Sequence, residues 1–511
     1  MAVTVFAAID IGSYNVSMEI FEISKRGGLK SLNRVRTSLE LGKDTFNLKK
    51  ISLERLQDLI GILRDYKRMM AEYGATACRA CAKSALREAR NGALILESVY
   101  QATGIRIEVL SNSEQRFLGY KSIASQGSEF ERFIEKGTAI IDLGGGSVQI
   151  SLFDKDALVT TQNLKLGSLR IRENLADLER LTRHYEELVE QSISKDIINF
   201  KRMFLQKRRI DNVILVGDYF TNLIFQNRSD MSKIETRREF MNWYERTIRR
   251  SPRELASEMG IDEELSSVVI PSAILYKKLI DALGAETIWL PGIQLTDGIA
   301  YDYAHRMKLM KPAHNFEQDI LMAAHHIAER YESDTAHTAY ISGIADRIFE
   351  AVRKGSGLQG RDDLYMRVAA VLHDCGKYIS MSDVSENAYE IIMATEIIGL
   401  SDVERELIAN VVRSINETFV YYSETSRRGR LSLEQHMTVA KLTAILRIAN
   451  ALDESHRQKA SAVTAVRKDN SVVIRAEALE DMALEAGYFE RAKGFFEEVF
   501  GLTIRLKVKT P

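Results

Sequence analysis

Histidine is nearly missing from the first three-fifths of this 511-residue sequence, where His184 is the only one of nine before residue 301. That stretch cannot build a His-rich metal or proton-relay site. Its chemistry must come from carboxylates, glycine loops, hydroxyls and arginine. Cysteine is scarcer still: Cys78, Cys81 and Cys375 are too few for a disulfide framework and suit a reducing cytosol. An excess of either charge is absent, with 70 Lys+Arg against 71 Asp+Glu, which argues against a general nucleic-acid or membrane-surface binder. No run approaches the ~18 apolar residues of a membrane span. The start, MAVTVFAAIDIG, carries no basic leader. A soluble cytoplasmic protein is therefore expected. Hydrophobics at 45% and charges at 28% exclude global disorder. At ~150 residues per domain the length suggests about three domains.

What is present is patterned. Val3–Ile9 and Val16–Ile23 read as strands around a Gly/Ser/Asn turn. Helices are predicted near Leu53–Tyr73 and Ala85–Thr103, and a strand over Ile105–Leu110. Ala139–Leu152 is again strand, turn, strand; Leu175–Arg208 reads as helical throughout, and Asn212–Val216 as a buried parallel strand. After Tyr301 the texture changes to long helix-compatible runs with almost no strand signal before Ser461. The end reads strand, strand, helix, strand over Ala462–Arg467, Val472–Glu477, Tyr488–Phe500 and Leu502–Lys509.

An internal repeat orders the first half. Laying Asp10 on Asp142 puts Ile9-Asp10-Ile11-Gly12 over Ile141-Asp142-Leu143-Gly144. Without a gap, Val16 then falls on Val148, Ile20 on Leu152, Phe21 on Phe153 and Glu22 on Asp154. Two copies of a strand, an Asp-x-Gly turn and a return strand imply two similar α/β lobes facing across a cleft. Such turns suit phosphate. Glycines let backbone N–H groups point at an anion without Cβ interference, and serine adds a hydroxyl donor. An Asp at a strand end can hold Mg²⁺, which prefers oxygen ligands. One Gly-rich turn is weak evidence; two at the same place in a repeat are much stronger.

The ordered segments DIGSYN (Asp10–Asn15), KSALREARNG (Lys83–Gly92), EVLSNSEQR (Glu108–Arg116), DLGGGS (Asp142–Ser147) and LGSLR (Leu166–Arg170) resemble the exopolyphosphatase/guanosine pentaphosphate phosphohydrolase family. That family belongs to the actin-like, sugar-kinase and Hsp70-like ATPase superfamily. The resemblance spans roughly residues 1–305 and, more loosely, the C-terminal half. It implies an α/β fold of two actin-like (ribonuclease H-like) lobes, residues 1–127 and 128–305. An all-α HD-like domain over 306–460 and a small α+β domain over 461–511 follow.

The resemblance also implies roles. Asp10, Gly12 and Ser13 form the first phosphate loop; Gly144, Gly145, Gly146 and Ser147 form the second, with Asp142 on Mg²⁺. Arg87 clamps the phosphate chain, where a bidentate fork suits a string of phosphates. Glu114 activates a water for attack on the terminal phosphorus, chemistry that needs positioning and charge neutralisation above all. Without the resemblance, a Glu opening a helix reads as a helix-dipole carboxylate. Departures mark a divergent member. Tyr14-Asn15 stand where the family has Asn-Ser, and Val148-Gln149 where it has Thr-Glu, removing a charge from the expected Mg²⁺ environment. Gln115-Arg116-Phe117 shift the arginine register after Glu114. VGDYF (Val216–Phe220) and LTDG (Leu295–Gly298) replace a Gly/Thr-rich loop and Leu-Arg-Glu-Gly.

In the helical half, His337, His373-Asp374 and Asp453 resemble the H…HD…D order of HD-type phosphohydrolases, and HDCGK (His373–Lys377) matches their signature. Such a set suits a divalent transition metal, Mn²⁺, Fe²⁺ or Zn²⁺, more than Mg²⁺. Tyr378–Asn387 contains no further histidine, so the expectation is a mononuclear or empty site whose four side chains converge in a bundle core. The arginine clusters Arg246–Arg253 and Arg427–Arg430, the pair His325-His326 and the single CxxC at Cys78–Cys81 read as solvated faces or structural residues.

The reading is a Mg²⁺-dependent exopolyphosphatase acting on linear inorganic polyphosphate. The alternatives are guanosine pentaphosphate 5′-phosphohydrolase, a catalytically weak polyphosphate or nucleotide sensor, and catalysis at the HD site. No nucleic-acid partner and no membrane span are expected. The resemblance implies a homodimer.

Overall fold

Strands β1 (Thr4–Ile11) and β2 (Asn15–Ser24) form an antiparallel hairpin in the computed structural model. It describes residues 3–13, 15–155, 157–179, 184–217, 233–259, 261, 263–311, 314–423 and 431–509. With β3 (Gly28–Ser38), β4 (Ala77–Ala82) and β5 (Ile107–Val109) they make a sheet of order β3-β2-β1-β4-β5. β1, β4 and β5 run parallel because helices, Leu53–Glu72 and Gly92–Thr103 among them, carry the chain back between them. The second sheet holds β6 (Thr138–Leu143), β7 (Val148–Asp154), β8 (Ala157–Leu164), β9 (Asn212–Gly217), β10 (Lys233–Thr236) and β11 (Thr287–Leu290). Its order is β10-β11-β9-β6-β7-β8, which repeats the first sheet once edge strand β10 is set aside.

The repeat extends to register. Asp10 pairs with Ser17 and Ile11 with Val16; Asp142 pairs with Gln149 and Leu143 with Val148. Even the irregularities coincide, between Ile20 and Phe21 in one lobe and Leu152 and Phe153 in the other. The aligned residues therefore occupy equivalent places in duplicated sheets.

Some elements differ from the sequence reading. The helix expected over Ala85–Thr103 is two, Ser84–Glu88 and Gly92–Thr103. Between them Asn91 bonds both backbone groups of Ile51 through its carboxamide, an alternative to continuing the helix. Leu175–Arg208 is likewise not one helix: Ser168–Glu179 and Tyr185–Phe200 are helical, His184 is not, and residues 180–183 lie outside the described residues. β3, β8, β10 and β11 were not anticipated. In β3 every residue is at least partly exposed, so burial leaves no period-two signal to read.

The helix Leu295–Arg306 falls in the stretch expected to form the second lobe, yet it joins the first lobe's core. Ile299, Ala300 and Ala304 pack with Phe6, Ala8, Phe21 and Leu118, and Tyr303 stacks on Phe6 at 4.1 Å. Gly298 lies so close to the helix Asn112–Ala124 that a methyl there would meet Leu118 O at 1.9 Å. Asp302, 1% exposed, receives Lys121, Arg79 and Arg306. The first compact unit accordingly runs Met1–Asn315 and the second Phe316–Pro511.

The second unit is helical, with Thr335–Arg353, Asp362–Leu372, Asp402–Arg413 and Leu433–Ala451 among its long helices. It ends in a sheet of order β12 (Ala460–Lys468), β13 (Ser471–Ala478), β14 (Thr503–Lys509). The helix Ala483–Phe500 crosses between β13 and its parallel neighbour β14. This is the strand, strand, helix, strand order expected. Among the described residues, no helix is long and apolar enough to cross a membrane.

Candidate active site

Both Asp-x-Gly turns lie where a parallel strand ends, the place at which α/β sheets receive ligands. Each is closed by the same backbone bond, Gly12 N to Asn15 O at 2.8 Å and Gly144 N to Ser147 O at 3.0 Å. In the second turn the carbonyls are taken from one side. Ser168 N donates to Gly144 O, Arg170 N to Gly145 O and Arg170 Nε to Gly146 O. Peptides with carbonyls turned that way aim the N–H groups of Gly145, Gly146 and Ser147 the other way, as an anion nest requires. The LGSLR segment thus cradles this loop. A methyl on Gly167 would come within 2.3 Å of Gly145 O and Ser147 N. Gly167→Ala should therefore displace the loop and lower phosphate release by about 10²-fold, since misplacement near 1 Å can cost that much. Phosphate release beside a thermal melt checks this; wild-type turnover in the variant would show that the loop's position does not matter.

A continuous series of contacts joins the two turns. Ser13 Oγ lies 3.2 Å from Ser84 Oγ, and Lys83 Nζ lies 3.2 Å from Asp10 Oδ2. One turn on, Arg87 donates to Leu110 O at 2.7 Å and Asn112 Oδ1 at 2.6 Å. There the helix Asn112–Ala124 begins, with Glu114 in a capping box: Ser111 N donates to Glu114 Oε2 at 2.8 Å, and Glu114 N to Ser111 Oγ. From the same helix, buried Arg116 reaches the other lobe, donating to Ser147 Oγ at 3.0 Å and Asn163 Oδ1 at 2.7 Å. The helix also passes Asp142, whose Oδ2 is 3.9 Å from where a Gly119 methyl would sit. Loops, Arg87 and Glu114 therefore share one neighbourhood.

Lys83, Asn163 and Gly167 were not singled out from sequence, and Arg116 was noted only for its shifted register after Glu114. Lys83 and Gly167 lie inside the quoted segments KSALREARNG and LGSLR, a signal that was available. Asn163 had none, because only strand pairing brings β8 beside Ser147 and Gln149. Glu114 performs the capping role that its helix position suggests, and Oε2 is the oxygen so used.

In the second unit His337, His373, Asp374 and Asp453 come together, all buried. His337 Nδ1 lies 2.8 Å from Asp453 Oδ2, its Nε2 is 3.1 Å from Asn450 Oδ1, and its ring is 5.2 Å from that of His373. His373 Nδ1 faces Ala370 O, and Asp374 receives Lys377. Burial holds the His373 imidazole well below its usual range. Burial would raise the Asp453 carboxyl, but hydrogen bonds from His337 and Gln458 outweigh it and hold it low. The donors are turned to protein partners, and among the described residues no three His, Cys, Asp or Glu side chains are grouped to hold a metal ion. As arranged, the set does not fit the transition metal its order suggested.

Elsewhere, Arg250 and Arg253 pair with Glu258 and Glu263, as a solvated face does. Tyr14, Asp218–Phe220 of VGDYF and the cluster Arg427–Arg430 lie outside the described residues.

Two sheets of matching order, each with a glycine-bearing hairpin turn, define a duplicated α/β fold of the actin-like type. The family model of the Ppx/GppA phosphatase family matches residues 20–307, and that of Ppx/GppA phosphatase, domain III, residues 321–491. The chain belongs to the Ppx/GppA phosphatase family, hydrolases that act on phosphoanhydride bonds. It is similar to the guanosine-5′-triphosphate,3′-diphosphate pyrophosphatases of Photobacterium profundum (21% identical over 449 residues, 86% of each chain) and Vibrio vulnificus (22% over 505 residues, 95% of each). Among solved structures, an exopolyphosphatase from Cytophaga hutchinsonii covers 60% of this chain and 100% of its own, at 16% identity and a TM-score of 0.51.

Proposed function

We propose that the chain is an exopolyphosphatase that removes the terminal phosphate of linear inorganic polyphosphate between its two lobes. The observation that carries this reading is the contact series from Asp10 and Ser13 through Lys83, Arg87 and Glu114 to Arg116 and Ser147. The backbone N–H groups of Gly12, Gly145 and Gly146 and the hydroxyls of Ser13 and Ser147 hold the terminal phosphate, and Arg87 adds its guanidinium. Glu114 keeps its cap through Oε2 and takes the proton of the attacking water on Oε1. Oxygen attacks phosphorus, the bridging P–O bond breaks, and the shortened chain leaves with the bridging oxygen.

Mg²⁺ fits this site through one protein ligand. Asp142 is partly exposed at its strand end, and Asp10, also partly exposed, faces the Lys83 ammonium. One carboxylate with substrate oxygens and water is an ordinary Mg²⁺ set. Bound there, Mg²⁺ would neutralise charge on the phosphate chain. Gln149, buried and cross-strand from Asp142, supplies none. Gln149→Glu should sharpen Mg²⁺ dependence or raise activity; a Mg²⁺ titration identical in both proteins would count against that role. The homodimer and cytoplasmic location implied by the resemblance belong to the same reading.

The second reading is guanosine pentaphosphate 5′-phosphohydrolase, favoured by the names of the two relatives matched along 86% and 95% of this chain. Both substrates end in a phosphoanhydride. Phosphate release from each, by wild type and Glu114→Gln, separates them: release from guanosine pentaphosphate alone replaces the first reading with the second.

A further inference from the structure

The first glycine turn has a cation of its own. β1 and β4 run parallel with Ile11 beside Ala82, so the next residues, Gly12 and Lys83, leave the sheet side by side at its carboxyl edge. Lys83 N donates to Ile11 O at 3.1 Å, which carries the pairing one residue past the strands. On its other side, Ser84 touches Ser13 and Arg87 N donates to Lys83 O at 3.0 Å. The backbone of Lys83 is thereby fixed against the turn.

Its side chain folds over that turn. A lysine ordinarily packs its stem on protein and keeps its ammonium in water. Here a methyl on Gly12 would lie 3.5 Å from Lys83 Cε and 3.6 Å from Nζ. Nζ is 3.2 Å from Asp10 Oδ2, and the two side chains are only 10% and 15% exposed. An ammonium drawn in this far needs opposite charge, and the Asp10 carboxylate supplies it. The pairing matters for a ligand as well. A bare carboxylate at this strand end would repel phosphate, whereas a carboxylate with its ammonium does not. An ammonium is a compact point charge that binds phosphate oxygens from one side, with no need of a planar fork.

We propose, resting on the reading given for the glycine turns, that Lys83 is a phosphate-binding residue: Asp10 aims its ammonium, which meets the oxygens of the phosphate seated at Gly12 and Ser13. The chain thus supplies the positive charge of the first turn, and that turn holds phosphate with no metal present. Arg87, by contrast, lies one helical turn further on, where it meets Leu110 O and Asn112 Oδ1.

Calorimetric titration of the full chain with tripolyphosphate in EDTA tests this, beside phosphate release in Mg²⁺. Wild type should bind tripolyphosphate in EDTA. Lys83→Met should weaken that binding about tenfold to a hundredfold, the range of a hydrogen bond from a charged donor. The ammonium itself makes the contact, so the loss should recur, again at least about tenfold, when both proteins also carry Asp10→Asn. If Lys83 only neutralises Asp10, this second comparison shows no loss and the proposal falls. Equal affinity of wild type and Lys83→Met overturns it too, as does a wild type that releases phosphate yet binds no tripolyphosphate in EDTA. A wild type that releases phosphate from neither polyphosphate nor guanosine pentaphosphate sinks the earlier reading, and this proposal with it. Thermal melts check the fold. The Asp10→Asn comparison, whose double variant lacks both charges, decides if Lys83→Met alone does not fold.

Discussion

Glu114→Gln should leave a folded protein that binds its phosphate substrate and releases phosphate ~10²–10⁴ times more slowly, the usual cost of removing a general base. The cap explains why this substitution separates chemistry from structure. Glu114 Oε2 accepts from Ser111 N, and glutamine serves equally at that position of a capping box, since its amide oxygen accepts the same bond. The helix start, and with it the Arg116 reach to Ser147, should survive. Glu114→Ala would lose the cap as well and confound the two effects. Single-turnover phosphate release, with equilibrium binding of substrate to the variant, measures the result. Wild-type turnover would move the base elsewhere and reduce Glu114 to a capping residue.

Asp302→Ala should give the largest loss of stability among the residues described. Its carboxylate is 1% exposed and receives Lys121 and Arg79, whose side chains are only 9% and 16% exposed, together with Arg306. Removing one member of a buried ionic group leaves uncompensated charge and costs ~3–5 kcal/mol. Here the group also pins the helix Leu295–Arg306 to the first lobe's core, so the loss should appear in the unfolding of that unit. Burial by itself would raise the Asp302 carboxyl, but Lys121, Arg306 and Arg79 outweigh it and hold it below the ordinary carboxylate range. A depressed value means stability present above the unfolded-state value of ~3.9 and lost as pH falls through the folded one. Wild type should therefore approach the variant's stability on acidification. Urea titrations at neutral and acid pH check both parts; a neutral-pH loss below ~1 kcal/mol would show that the cations regain water without cost.

Local order alone made much of this molecule legible. The Asp10 and Asp142 turns, their strands and the repeat between them follow from Gly/Ser turns that interrupt apolar runs long enough for buried strands, a property of short segments. The HD quartet was expected to converge, and four buried side chains do come together. Their state was not readable. Whether His337 offers nitrogen to a metal or gives both to Asp453 and Asn450 depends on atoms more than a hundred residues away in sequence.

The same limit appears wherever a contact is long-range. Residues around Arg87, Glu114 and Ser147 were identifiable because each sits in a short ordered segment. Arg116 sits in one of those segments too, but its link across the lobes was not readable, because it acquires that role only when its helix lies beside the second turn. The helix Leu295–Arg306 falls in the stretch read as the second lobe, 128–305. Its apolar face fits Phe6, Phe21 and Leu118, and its Asp302 meets Lys121 and Arg79, so the first lobe holds it. The sequence by itself determined the duplicated turns, the segments that carry the candidate chemistry and the change to helices after residue 301. Tertiary structure alone decided which lobe owns that last helix, what Arg116 touches and how the histidines are engaged. Backbone preference and hydrophobic period act over a few residues; pairing of buried charge and closure of a core act across the whole unit.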